Sequence, residues 1–523
     1  MEPVIALLRF YAKCVVFLAI LIRRIISFLT SSHSSQLASA RFAAPHETAR
    51  LARSEFADLE HALLLGRTHF HQIAAVRPAK KRPELGNTLV CAPPRMGKSK
   101  AAIAEILAAT KLSMVVLDVK GELYDATAGY RRTLGPVYVF DPRGYGNAYD
   151  PLSGKTTEDQ LYAQAVRLLF EANEREPIYA QRGSEMLMCM WQAARMEGMA
   201  PFPYTRFLIR QGPKATAARL HRLSPQLATQ FLLTDFEDAN FSDDRFLLSC
   251  WGTISARLRP MITETVIRSL TRADFSPEAL MLSPKPVTWY FRIREQDLVA
   301  LTPLQRLFWL STIDTLTTTH DDRKGKGCHP VLLLIDEGGR VPIPNLHDAT
   351  STVCGRGVSV WLIVQSLEQL NDAYTHDRAN IIRGNCDTHL FHRPNDPTTA
   401  KYLEDRLGTV SVYARSETLY HGEKSSESRS ERLAPLLTKE AIGLMDDTEV
   451  IAWHRNHRPL KLSRMDWQEH PLLIHRRNIP PPPVHPLPPL RDLDLREPVS
   501  FQEDEIQAVN PDDLVDPEEL LKH

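Results

Sequence analysis

The segment TLVCAPPRMGKSKAA sets Gly97, Lys98 and Ser99 between a short apolar run and an Ala-rich stretch, the order of a strand, a turn and a helix start. A triphosphate needs backbone N–H groups aimed inward at a helix N-terminus, a lysine against its β and γ oxygens and a hydroxyl for Mg²⁺. Lys98 and Ser99 carry those side chains, and Gly97 permits the close approach. The phosphate cradle is therefore read as Ala92, Pro93, Pro94, Arg95, Met96, Gly97, Lys98, Ser99 and Lys100, with ATP and Mg²⁺ as the expected cofactors. Ala92 stands where G-x-x-x-x-G-K-[ST] has its first glycine, a departure that can slow nucleotide exchange or hydrolysis without abolishing binding. The competing reading of the segment is a strand-to-helix turn that happens to contain Gly-Lys-Ser.

Downstream, PVLLLIDEGGR ends a buried-strand run in paired carboxylates. Beside a P-loop, Asp336 is expected in the Mg²⁺ shell with Ser99, and Glu337 is expected to polarise the attacking water. That division of labour belongs to a RecA-like ATP hydrolase rather than a kinase or G-protein. Val358 to Val364 is a further apolar run ending in Gln365, placed to sense the γ-phosphate in the crevice outside the strand ends. Arg356 precedes that run and has two readings, a finger reaching a neighbouring subunit's nucleotide or a surface loop residue.

These side chains need a sheet beneath them. Leu63 to Gly66, Thr88 to Cys91, Ser113 to Leu117, Val137 to Phe140, Pro286 to Phe291, Val331 to Ile335 and Val358 to Val364 are short apolar runs bounded by Gly, Pro or Asp. They suit buried strands of a parallel sheet with helices between them. From Gly154 to Ser283 the apolar residues repeat at helical spacing, as at Leu161, Ala165, Leu168, Leu169 and Ala172, which predicts a helical insertion in an α/β domain. Ile479 to Leu490, IPPPPVHPLPPL, is expected to be extended polyproline, a stiff spacer before the C-terminal tail.

The chain has 523 residues, 43% hydrophobic and 24% charged, which excludes fibrous and wholly disordered classes. Its 63 basic and 63 acidic residues cancel only in sum, because 11 acidic and 2 basic residues fall between Asp492 and His523. The tail is expected to be a solvated, disordered end, and the mildly basic body is compatible with a polyanion partner. Seven scattered cysteines without a C-x-x-C pair suit a reducing compartment and argue against a disulfide scaffold or zinc ribbon. Near the N-terminus the longest uninterrupted apolar run, Cys14 to Ile22, has nine residues, short of the roughly 20 that span a bilayer. Arg9, Lys13, Arg23 and Arg24 gather on one side of a helix drawn through it. The pattern suits a basic amphipathic helix on an anionic membrane surface; a signal peptide ending at Ala38-Ser39-Ala40 fits less well, since that site lies far beyond the run.

The order APPRMGKS, VVLDVKGELYDATAGYRR, VYVFDPRG with YDPL, LLLIDEGGR, CGRGVSVWLIVQSLEQLNDAY, ANIIRGNCDTHLFHRPNDPTTAKYLEDRLG resembles the type IV secretion system coupling proteins, the conjugative DNA-transfer ATPases. SARFA near Ser39 and LLLGR ending at Arg67 extend the resemblance, which covers roughly residues 39 to 470. It implies a RecA-like P-loop domain in two parts, 37–153 and 284–478, around an all-α domain at 154–283. The segments read above add a membrane-associating segment at 1–36 and a Pro-rich and acidic extension at 479–523. The implied assembly is a homo-hexamer on the cytoplasmic face of the bacterial inner membrane, delivering relaxase-bound single-stranded DNA or protein effectors to a type IV secretion channel. Lys98, Ser99, Asp336, Glu337, Gln365 and Arg356 take the family's catalytic roles, Arg356 as the trans finger. The run Asp118, Lys120, Gly121, Glu122 matches a family hallmark, without its chemistry being legible. The chain departs from the family in carrying one short, Arg-interrupted hydrophobic segment in place of two transmembrane helices.

Other features read less sharply. Arg206, Arg210, Lys214, Arg219 and Arg222 form a basic stretch suited to tracking phosphates or to a solvated helix face. His69 with His71, and His454 with His457, have metal-compatible spacing but no nearby cysteine, and are expected at the surface. The rival functional classes are a nucleotide-binding but non-hydrolysing recruitment receptor and a DNA-packaging or chromosome-pumping motor.

Overall fold

The computed structural model describes residues 38–53, 59–78, 85–170, 176–241, 244–340, 342–343, 345–420 and 423–490. The expected amphipathic helix at 1–36 and the acidic tail from Asp492 lie outside them. Among the described residues, no helix is long and apolar enough to cross a membrane.

Among the described residues, fifteen strands form two sheets. In chain order they are β1 (Ala52–Arg53), β2 (Leu63–Arg67), β3 (Ile73–Val76), β4 (Asn87–Cys91), β5 (Ser113–Asp118), β6 (Val137–Asp141), β7 (Tyr145–Gly146) and β8 (Thr288–Arg292), then β9 (Val331–Ile335), β10 (Val358–Val364), β11 (Cys386–His392), β12 (Thr409–Tyr420), β13 (Glu423–Pro435), β14 (Glu449–His454) and β15 (Leu460–Ser463). The large sheet runs β1-β3-β2-β15-β14-β11-β4-β10-β9-β5-β8-β6-β7. From β11 to β6 the pairings are parallel. Every residue of β4, β5, β9 and β10 is buried, which explains their near-continuous apolar sequence, since a central parallel strand is covered on both faces. The expected parallel sheet is thus present at the centre, but Leu63 to Gly66 lies in an antiparallel wing. There Thr68–Gln72 joins β2 to β3 by a turn closed by Thr68 N–H donating to the Gln72 carbonyl (2.8 Å), and so short a connection permits only antiparallel pairing.

Helices α1 (Lys98–Ala108) and α2 (Glu122–Leu134) follow β4 and β5. Both begin on a glycine in the left-handed region, Gly97 at φ 85° and Gly121 at φ 82°, which turns the chain sharply from strand into helix. Between β7 and β8 the described residues form helices without a strand: α3 (Glu158–Leu169), α4 (Pro177–Met196), α5 (Pro201–Gln211), α6 (Pro213–Leu223), α7 (Pro225–Leu232) and α8 (Arg245–Leu258), with two shorter helices after them. Four consecutive helices, α4 to α7, start on proline, where its fixed φ suits the first helical residue and its missing N–H costs nothing. Their core includes the fully buried Trp191, Phe202, Tyr204 and Phe231. The basic stretch lies on α5 and α6 and is neither a free phosphate track nor a solvated face throughout. Arg206 is buried, and Arg219 donates to Glu197 (2.7 and 3.0 Å) and to the Tyr204 hydroxyl (2.9 Å), so Arg219 ties α6 to α5 and to the end of α4.

Helix α9 (Thr302–Asp322) leads into β9, and the chain closes with α10 (Pro471–Arg477). Beyond it the polyproline segment is extended as expected, but it docks instead of standing off as a spacer. The Tyr124 hydroxyl donates to the Pro482 carbonyl (2.7 Å), Gly146 N–H to the His485 carbonyl (2.8 Å), and Leu487 N–H to the Gly144 carbonyl (2.7 Å). A proline-rich chain can accept at its carbonyls while donating little, which suits a surface strap on α2 and the edge strand β7.

The large sheet, helices α1 to α10 and the proline-rich strap belong to one compact unit, Phe42–Ala400 with the described residues from Gly443 on; a second unit comprises Lys401–Ile442 with the described residues before Phe42. The second unit is built on the β12–β13 hairpin, paired from Thr409↔Pro435 to Tyr420↔Glu423 with an irregularity at Thr418/Leu419.

Candidate nucleotide site

The order β4-β10-β9-β5 decides what meets at the carboxyl edge of the sheet. β10 lies between the strand that launches the Gly97-Lys98-Ser99 turn and the strand that ends in Asp336-Glu337, so Gln365 emerges between them. A cavity of about 420 Å³ opens at this edge, lined by Pro94, Arg95 and Gly97 to Lys100 together with Val119, Lys120, Glu122, Glu295, Glu337, Arg340 and Gln365.

Within it the side chains are already paired. Lys98 Nζ bonds Glu337 Oε1, and Gln365 Nε2 donates to Glu337 Oε2 at 2.8 Å. Glu337 is buried at φ 60°, a left-handed conformation that costs a non-glycine residue of order 1 kcal/mol or more. It is held there by those bonds and by Gly338 N–H donating to the Ile363 carbonyl (2.9 Å). Asp336 is also buried, and burial first of all pushes its carboxyl up to about 7; the nearby Lys98 opposes the rise, while Glu337, Asp118 and Glu122 add to it. A cation entering the site would relieve that crowding of acids.

The Ser99 hydroxyl donates to Glu122 Oε1 at 2.5 Å. Asp118 accepts from Gly121 N–H (2.7 Å) and Tyr124 N–H (2.8 Å), so it fixes the start of α2 and hence the position of Glu122. This accounts for the run Asp118 to Glu122 in physical terms: one acid shapes the turn and the other holds the P-loop hydroxyl. Lys120 is exposed at the cavity's edge.

The remaining cradle residues divide. Ala92 is buried and its N–H donates to the Val364 carbonyl (2.9 Å); Pro93 accepts from Met96 N–H (3.2 Å). Pro94 and Arg95 are exposed, Arg95 at φ 68°, and Met96 is buried. Lys100 is committed elsewhere, to Asp466 Oδ2 (2.6 Å) and Gln468 Oε1 (2.7 Å). Arg356 is not brought to this cavity. It precedes β10 while Gln365 follows it, a separation of roughly 25 Å along an extended strand, and its Nε donates to Asp321 at the end of α9 (2.8 and 2.9 Å).

Several contributors were hidden in the sequence. Arg464 reaches the Met96 carbonyl (3.3 Å) from beyond β15, Asp466 anchors Lys100, and Arg340 and Glu295 pair at the cavity mouth. The only linear signal for any of them is Arg340's place three residues after Glu337. Of the histidines, His69 and His71 are exposed as expected. His454 is instead buried at the end of β14, its Nδ1 3.0 Å from Thr388 Oγ1, and burial with the neighbouring Arg455 pulls its pKa down to about 4. Among the described residues no cluster of three or more His, Cys, Asp or Glu could hold a metal by itself. A hydroxyl with nearby carboxylates is a donor set that suits Mg²⁺ completed by phosphate oxygens and water.

The family described as Type IV secretory system Conjugative DNA transfer matches residues 74–481. The VirD4 protein of Agrobacterium fabrum is 24% identical over 396 residues, covering 73% of this chain and 58% of that protein. The conjugal transfer protein TraG of Escherichia coli is 24% identical over 364 residues, covering 62% of this chain and 55% of its own length. The chain thus spans less than two thirds of these relatives. Among solved structures, the unbound bacterial conjugative coupling protein TrwB superposes with a TM-score of 0.62 at 16% identity, over 83% of this chain and 93% of that one. TrwB bound to the non-hydrolysable ATP analogue ADPNP gives 0.60 at 16% identity over 83% and 95%, and TrwB with ADP and Mg²⁺ gives 0.59 at 16% identity over 84% and 98%. The fold is that of TrwB, and with its profile matched over most of its length the chain belongs to the type IV secretory system conjugative DNA transfer family.

Proposed function

We infer that this chain is a coupling ATPase that binds ATP and Mg²⁺ in the cavity beside Lys98. In this reading it uses their turnover to recruit relaxase-bound single-stranded DNA, or protein effectors, and help move them to a type IV secretion channel. The observation that carries the reading is the convergence of Lys98, Ser99, Glu337 and Gln365 on one cavity in a chain of this family. A homo-hexamer at the cytoplasmic face of the inner membrane, with Arg356 serving a neighbouring subunit's site, completes the proposal; the partly exposed position of Arg356, away from its own cavity, suits such a role.

Lys98 is suited to the β and γ oxygens, and nucleotide would take it from Glu337. Ser99 and Asp336, with Glu122 holding the serine hydroxyl, are the groups suited to Mg²⁺, which when bound neutralises charge on the β and γ oxygens. Once Lys98 turns to phosphate, Glu337 is left with Gln365, which orients it, and its freed oxygen can accept a hydrogen bond from the attacking water. Gln365 therefore links the strand between the two motifs to the state of the nucleotide.

The test is ATP hydrolysis by the full chain in detergent, with and without single-stranded DNA, beside Glu337→Gln and Lys98→Ala. Stimulation by DNA that both variants lose, with folding retained, is the expected result. Nucleotide binding without turnover under every DNA condition would replace the motor with a recruitment receptor.

A further inference from the structure

We propose that Arg340 is the residue by which this site distinguishes ATP from ADP, a γ-phosphate ligand held aside by Glu295 until nucleotide arrives; the proposal rests on the nucleotide-binding reading of the cavity. Arg340 and Glu295 both line the mouth and form an ion pair with each other. Arg340 Nε also lies 3.8 Å from Glu337 Oε2. The guanidinium thus sits on the Glu337 side of the cavity. A carboxylate that activates water must face the γ-phosphate, so a cation beside it meets the phosphate that ATP has and ADP lacks.

The backbone beneath Arg340 is closely packed. Arg340 N–H donates to the Glu337 carbonyl (2.9 Å), closing a tight turn. A Cβ on Gly338 would stand 2.2 Å from Leu362 Cδ1, and one on Gly339 would stand 2.5 Å from Gln369 Oε1. The turn packs against β10 and the helix after it, which leaves the long side chain of the arginine as the part with room to move. Gln369 Oε1 in turn accepts from Gln365 N–H at 2.9 Å, which ties the arginine's turn to the sensing residue.

Glu295 belongs to a single 3₁₀ turn, Glu295–Asp297, after β8. Both partners of the pair are exposed, and an exposed ion pair is weakly held. A phosphate offers the guanidinium two parallel charge-assisted bonds in a less solvated setting, so exchange of Glu295 for the γ-phosphate is favourable. Lys98 supplies less of this discrimination, because at the start of α1 it serves the β oxygens that both nucleotides carry as well as the γ oxygens. The other cations at the edge, Arg95 and Lys120, are exposed residues that follow β4 and β5.

The measurement is the dissociation constant of a non-hydrolysable ATP analogue and of ADP, each with Mg²⁺, on the full chain in detergent. Arg340→Ala is expected to weaken the analogue about tenfold while ADP stays within about twofold. Glu295→Gln is expected to tighten the analogue by about twofold or more, since the competitor for the guanidinium is gone, without changing ADP. Arg340→Lys, which keeps the charge but not the fork, should fall between wild type and Arg340→Ala. Equal losses for both nucleotides in Arg340→Ala, or a weakened analogue in Glu295→Gln, would mean that the pair only braces the turn, and the proposal falls. Failure of the wild-type chain to bind ADP would overturn the nucleotide-binding reading itself and the proposal with it.

Discussion

Ala92 shows how a motif departure is judged by backbone geometry. Gly97 and Arg95 occupy the left-handed region in this turn, and Ala92 does not, so the first glycine position makes no demand that alanine fails to meet. Ala92→Gly is therefore expected to leave nucleotide affinity within about twofold and to cost about 0.5–1 kcal/mol of stability through added backbone freedom; a marked gain in affinity would contradict this. Glu105, inside α1, carries a second residue-scale prediction. It is fully buried and accepts from Leu64 N–H at 2.8 Å, and burial pushes its carboxyl up to about 8 from 4.5. Between those values the unfolded chain has released a proton that the native protein keeps. Stability should fall by roughly 1.4 kcal/mol per pH unit as pH rises across that window. Glu105→Gln should remove this slope and be the more stable protein at pH 8, read by urea unfolding at several pH values; parallel profiles would refute it. Residues such as Lys98, Ser99, Asp336, Glu337 and Gln365 were legible because each follows an apolar strand in a spacing set by the chemistry. Glu122, Arg340 and Arg464 were not, because their roles depend on which strand lies beside which.

The seven apolar runs read from the sequence all lie at strands, since burial on both faces leaves a continuous hydrophobic signature. β11, the strand beside the P-loop strand, was missed. Its sequence CDTHLFH carries polar side chains that the fold satisfies locally, as where His389 Nε2 meets the Cys386 carbonyl at 3.0 Å, and its register shifts between Cys386 and Thr388. β14 and β15, the antiparallel strands that extend the sheet past β11, were missed as well. The helices of the insertion were visible in their spacing, whereas the burial of Arg206 and the clamp role of Arg219 were not, because a buried arginine and a solvated one have the same letter. Arg131 makes the same point in α2. It is fully buried and donates to Thr288 Oγ1 (2.7 Å) and to the Ala109 (2.8 Å) and Leu112 (2.6 Å) carbonyls, joining α2 to β8 and to the end of α1. Arg131→Met should destabilise the protein by about 2–4 kcal/mol, because those acceptors lose a charged donor in the interior. Thermal unfolding measures it, and a change under about 0.5 kcal/mol would mean that water replaces the guanidinium.

At the scale of the whole chain, the C-terminal polyproline segment becomes part of the folded unit that holds the nucleotide site. A composition so rich in proline predicts its extended shape but not its docking, because the docking surface is made by a glycine far away in sequence. Gly129 lies buried in α2, and a Cβ there would stand 2.1 Å from the Ile479 carbonyl oxygen and 2.5 Å from that of Pro480. Helix propensity alone favours alanine at this position by about 1 kcal/mol. The two effects have opposite signs and separate in a cycle. In the full chain Gly129→Ala should be destabilising, since the strap must lift or α2 must shift. In a chain ending at Asn478 the same substitution should be stabilising by up to about 1 kcal/mol, because only the helix term remains. The truncation itself should lower stability, as it removes the acceptor of the Tyr124 hydroxyl and uncovers α2. Urea unfolding of the four proteins gives the coupling directly, and a substitution effect of the same sign in both lengths would show that the strap does not rest on α2 in solution. Because α2 begins at Glu122, which holds the Ser99 hydroxyl, the same cycle repeated with ADP and Mg²⁺ reads whether strap and nucleotide act on one helix. Coupling that changes on binding would place the departure point of the C-terminal tail under the control of the nucleotide.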